Sequence, residues 1–148
     1  MIGRIRIPLV FRCIVTISYV FLIFLMSSLD TSSSSVPLPV HMDKLIHFFI
    51  FGILCLLICW SLSYIKIGKM GSYNIIIAIS ITSFYGMVDE FHQYFTPNRS
   101  VEVFDWLADT AGAVVAGFLW KIFTDRKSQK PLRLERKIKK PAELLRLE

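Results

Sequence analysis

Residues 87–109, "MVDEFHQYFTPNRSVEVFDWLAD", sit where two long apolar runs meet. Asp89, Glu90, His92, Gln93, Arg99, Glu102, Asp105 and Asp109 are packed into this short piece. Outward from it the chain is apolar on both sides. The protein has 148 residues, of which 54% are hydrophobic and 19% charged. Its mean hydropathy is +0.56. A soluble domain of this length carries more charge and shorter apolar runs. A helix crosses the hydrocarbon with roughly 20 mostly apolar residues. The runs predict an all-α polytopic membrane protein, a bundle of four transmembrane helices at 8–29, 45–65, 73–94 and 101–123, followed by a basic tail at 124–148. The lipid bilayer is therefore the first partner.

The breaks between the runs have local causes. Residues 30–42, "DTSSSSVPLPVHM", are rich in serine and contain Pro37 and Pro39, which exclude regular helix. Gly68 and Gly71 break the chain after the second run, and Thr96, Pro97 and Asn98 mark a turn after the third. A signal peptide is the rival reading of the first run. The run is longer than an ordinary signal core and no A-x-A site follows, which favours a retained span. Cys13, Cys55 and Cys59 all lie inside apolar runs and read as small core residues. Trp60, Trp106 and Trp120 lie near span ends and read as interface anchors.

Charge sets the direction of insertion. Residues 121–148 hold ten Lys/Arg against four Asp/Glu, and residues 1–120 hold seven of each. A basic tail beside a membrane meets anionic lipid headgroups, and no nucleic-acid motif is present. Arg4, Arg6 and Arg12, then Lys66 and Lys69, then the tail put positive charge on one side. The other side has Lys44 and Arg99. Positive loops face the cytoplasm. Both termini are thus expected in the cytoplasm, with the protein multi-pass in the cell membrane.

With that topology, three segments bring polar groups to one level, the outer end. Asp43, Lys44 and His47 begin the second span. Asp89, Glu90 and Gln93 end the third. Arg99 follows in the outer loop, and Asp105 and Asp109 begin the fourth. Asp43 and His47, then Asp89, His92 and Gln93, then Asp105 and Asp109 are three or four residues apart, which places each of these sets on one helix side. Such groups face the bundle interior or a wet cavity and pair with one another. Arg99 is the expected counter-ion, since its fork takes carboxylates bidentately. "DTAGAVVAGF" adds small residues at Gly112/Ala116 and Ala113/Gly117, a pattern that lets helices approach closely. It marks the fourth span as the expected centre of the bundle.

"DKLIHF" (43–48), "VDEFHQ" (88–93) and "RSVEVFDWLADTAGA" (99–113) together resemble the VanZ-like family. Asp43, Lys44, His47, Asp89, Glu90, Gln93, Arg99, Asp105 and Gly112 match its pattern in order. Asp109 stands where the family often has Asn, which makes the site more acidic and suits a proton or a cation. The resemblance implies a small bacterial membrane protein with an outer polar site, and its namesake is linked to resistance to the glycopeptide teicoplanin.

Three roles stay open for the polar set. It can bind an envelope lipid, a lipid-linked cell-wall precursor or the glycopeptide. It can be a buried ion-pair network that fixes how the helices meet. It can be an enzyme acting on a lipid-linked substrate, with His47 or His92 as base and Arg99 stabilising negative charge. A metal-assisted version would use His47, Asp89, Asp105 and Asp109. No phosphate loop, H-E-x-x-H or G-x-S-x-G occurs, so no cofactor and no metal is assigned.

Overall fold

A computed structural model describes residues 7–29, 42–65, 71–97, 99 and 101–144, with side chains in the last two helices at 73–97 and 101–126. The described residues form four helices and no strand: α1 (Leu9–Ser27), α2 (Met42–Leu62), α3 (Gly71–Gln93) and α4 (Val103–Leu144). All four are long and apolar enough to cross a membrane. The protein is an all-α, multi-pass membrane protein. Residues 30–41, Lys66, Lys69, Asn98 and Ser100, for which a loop, positive charge or a turn was expected, lie outside the described residues.

The helices do not end where the apolar runs do. α2 starts at Met42, earlier than the apolar boundary at 45, and takes Asp43 into its first turn. A carboxylate there is favoured by the free N–H groups of the helix start. α4 continues past 123 to Leu144, through Pro131 and Pro141. The Lys-, Arg-, Glu- and Leu-rich sequence beyond 123 has good helix propensity although it is too polar for the hydrocarbon. A change of polarity marks where hydrocarbon ends and does not by itself end a helix.

Large apolar side chains point outward, as Phe11, Ile17, Phe84 and Phe118 do, while many buried positions are small. Lipid tails solvate Phe and Leu as well as a protein interior does, so close packing rather than hydrophobic burial joins the helices. Gly112 is the closest such approach. A Cβ there would collide with the Phe48 carbonyl of α2, and a Cβ on Gly52 would meet the Gly112 carbonyl at 3.4 Å. Gly117 faces Ile75 and Ile79 of α3. The small-residue pattern of α4 therefore serves two neighbours.

α2, and not α4 as the sequence suggested, is the helix that touches all three others. α1 packs on α2 and α3 and has no contact with α4 among the described residues. The polar ties of α1 explain its place. Arg12 donates to the Trp60 carbonyl and to Ser63 Oγ, and lies 4.9 Å from the centroid of the Trp60 ring. Tyr19 donates to the Ile50 carbonyl at 3.2 Å, and Tyr85 donates to the Val20 carbonyl at 2.9 Å. Trp106 also ties α4 to α3. Its indole N–H donates to the Ser83 carbonyl at 3.1 Å, and Ser83 and Thr110 share a hydroxyl bond at 2.8 Å beside it.

Candidate functional site

The start of α2, the end of α3 and the start of α4 meet at one end of the bundle. Asp43, Lys44, His47, Asp89, Glu90, Gln93, Asp105 and Asp109 all lie there, and Arg99 lies in the α3–α4 connection. They sort into three groups.

The first is a lysine ringed by carboxylates. Lys44 Nζ lies 2.9 Å from Asp43 Oδ2, 2.7 Å from Glu102 Oε2 and 2.9 Å from Asp105 Oδ1. Three acceptors match the three N–H bonds of an ammonium group. Asp105 is buried and the other partners are half-exposed. Lys44, rather than the expected Arg99, is the counter-ion of the acidic set. Arg99 donates instead to the Met26 carbonyl of α1 at 3.4 Å, and its Nε is buried without a hydrogen-bond partner. This contact directs the guanidinium towards α1, which spacing along the chain does not show.

The second group lies one turn deeper. His47 Nδ1 and Asp109 Oδ1 are 3.0 Å apart, and the imidazole stacks over Phe51. Glu90 Oε2 accepts the Glu102 backbone N–H at 3.1 Å. Asp109 Oδ2 and Glu90 Oε1 are buried with no hydrogen-bond partner. His47, Glu90 and Asp109 each offer a donor atom, and these lie within 4.8 Å of one another. The metal-assisted reading had paired His47 and Asp109 with Asp89 and Asp105. Asp105 is taken up by Lys44, and Asp89 accepts from Gln93 Nε2 at 3.0 Å.

The third group borders a cavity of about 500 Å³ between α1, α2 and α3. Asp43, His47, Asp89, Gln93 and Arg99 line one part of it, and Leu22, Ile23, Met26, Ile46 and Ile50 line another. A site with that split can hold an amphipathic molecule by both ends.

A family model described as VanZ/LLP1 matches residues 9–124. The chain belongs to the VanZ-like family. Neither a curated protein nor a solved structure matches it. The matched stretch holds the first three spans, all but the last two residues of the fourth, and the polar residues of the site.

Sequence reasoning left Glu102 out of the site. It occupies none of the positions that carry the VanZ-like resemblance, and it lies just outside α4. Its spacing to Asp105 was the available signal: the Asp105 N–H bonds the Glu102 carbonyl at 2.9 Å, which turns both carboxylates to Lys44. His92 stands apart from the cluster. Its ring packs against Phe24 of α1 with centroids 4.5 Å apart.

Proposed function

We propose that this VanZ-like protein binds a polar-headed lipid of the cell envelope, such as a lipid-linked cell-wall precursor, in the cavity between α1, α2 and α3. The split lining of that cavity is the observation that carries the reading. Its size falls in the range of roughly 300–1,000 Å³ usual for ligand sites. Arg99 supplies the cation of the lining and suits an anionic group such as phosphate. Asp43 and Asp89 suit hydroxyl or ammonium groups. Leu22, Ile23 and Met26 of α1 offer an apolar wall to the chain.

Orientation follows from charge. Arg12, Lys121 and Arg126 lie towards the end opposite the polar site, so positive-inside insertion puts the termini in the cytoplasm and opens the cavity towards the outer leaflet. The basic residues just beyond 123, such as Arg126, then lie at the level of the anionic headgroups of the inner leaflet. Retention of an envelope precursor by this site is the route by which the protein would contribute to teicoplanin resistance. The three-carboxylate ring around Lys44 supports a second role, a structural tie between α2 and α4, for that part of the polar set.

Lipid extracts of the protein purified in mild detergent test the reading. Wild type should carry an envelope lipid that Arg99→Ala and Asp89→Asn lose at equal protein levels. In a teicoplanin-sensitive bacterial host, wild type should protect and both variants should not. Wild type that carries only bulk phospholipid, in the same amount as the variants, would overturn it.

A further inference from the structure

The junction of α2, α3 and α4 holds more acid than its cations offset. Lys44 is taken by Asp43, Glu102 and Asp105. Arg99 faces the Met26 carbonyl. One turn deeper stand two further carboxylates, Glu90 from α3 and Asp109 from α4, with His47 of α2 beside them. Asp109 is wholly buried and Glu90 is 5% exposed. One oxygen of each has a hydrogen bond, to His47 and to the Glu102 N–H respectively. The other oxygen of each is buried and unpartnered. An unmet, buried carboxylate oxygen is costly, and two such carboxylates beside one imidazole lack a shared positive centre.

We propose that His47, Glu90 and Asp109 bind one divalent transition-metal ion. An imidazole with two carboxylates suits Zn²⁺ or Mn²⁺. Their donor atoms lie within 4.8 Å of one another. Donors bound about 2.0–2.2 Å from one ion are at most about 4.4 Å apart, so small side-chain movements close the set. Gly86 admits the Asp109 carboxylate to this position, because a Cβ there would stand 2.7 Å from Asp109 Oδ2. His47 also lines the cavity. Three protein ligands leave a position on that side for water or a ligand group. The ion site goes beyond the lipid reading and is measured without lipid, so either can fail alone.

Metal content of the full-length, tag-free protein tests it. The purified protein is stripped with chelator, equilibrated with Zn²⁺ or Mn²⁺, desalted and analysed by elemental mass spectrometry. Wild type should hold about one ion per chain, and Glu90→Gln and Asp109→Asn at least about tenfold less. Asp125→Asn, an exposed carboxylate beyond the site, and a Cys55→Ala/Cys59→Ala double variant should match wild type. If the carboxamide variants do not fold, Co²⁺-loaded wild type decides. Visible d–d bands without a thiolate charge-transfer band support the site. Wild type with less than about a tenth of an ion per chain, carboxamide variants with full metal content, or a Co²⁺ spectrum dominated by thiolate would overturn it.

Discussion

Replacing Gly112 by alanine should separate the two helices that carry His47 and Asp109. The added Cβ would land on the Phe48 carbonyl, a backbone atom that cannot rotate away. α2 and α4 must then move apart. Overpacking of this kind costs about 1–3 kcal/mol, and a backbone obstacle puts Gly112→Ala near the upper end. Alanine returns about 1 kcal/mol through helix propensity. The net expectation is about 2 kcal/mol of destabilisation. Gly52→Ala is the matched control. Its Cβ would meet the Gly112 carbonyl at 3.4 Å, an ordinary contact, so the propensity gain should leave it at or above wild-type stability. Reversible unfolding in mixed micelles of mild and denaturing detergent measures both. A Gly112→Ala protein within about 0.5 kcal/mol of wild type would refute the packing argument.

Other substitutions probe the remaining parts. Lys44→Met, Asp105→Asn and their double variant form a cycle in which each single change destabilises and the double change recovers about 1–2 kcal/mol of coupling, discounted for the partly exposed ring; additive losses would deny the tie. Arg12→Ala removes two donor contacts and two ring contacts, to Trp60 and Tyr64, that hold α1 against α2 and the residues just after it, and should cost about 2 kcal/mol in the same unfolding assay. Leu22 lines the cavity and is half exposed, so Leu22→Trp should leave folding intact and weaken lipid retention about tenfold, or about 1.4 kcal/mol. Retention equal to wild type would move the ligand out of that cavity.

Number, order and rough extent of the spans were legible because hydrocarbon admits few polar residues, and this chain concentrates them at the span ends. Convergence of the polar residues followed from topology alone, since α2, α3 and α4 alternate in direction. Pairing within the cluster was not legible. Lys44 and Arg99 both stand near the carboxylates in sequence, and only the three-dimensional arrangement of the helices decides that Lys44 meets Asp105 while Arg99 meets α1. The central place of α2 was hidden for a similar reason. Small residues in α4 announce close packing but not the partner, and Gly52 is a single glycine in a run of large side chains. A wet cavity beside the polar groups was expected, but its apolar wall was not legible, because Leu22, Ile23 and Met26 reach it only through the way α1 leans on α2 and α3.

Photocrosslinking in living membranes tests the lipid-binding proposal most directly. A photoreactive phenylalanine analogue is placed at Ile46, on the cavity wall, and separately at Phe118, which faces outward from α4. We expect the Ile46 probe to capture a polar-headed envelope lipid, to lose it when Arg99 is changed to alanine, and to keep it when Arg126 is changed to alanine. The Phe118 probe should capture bulk phospholipid in every background. Identical crosslinked lipids from both positions, unaffected by Arg99→Ala, would contradict a ligand site at this end of the bundle.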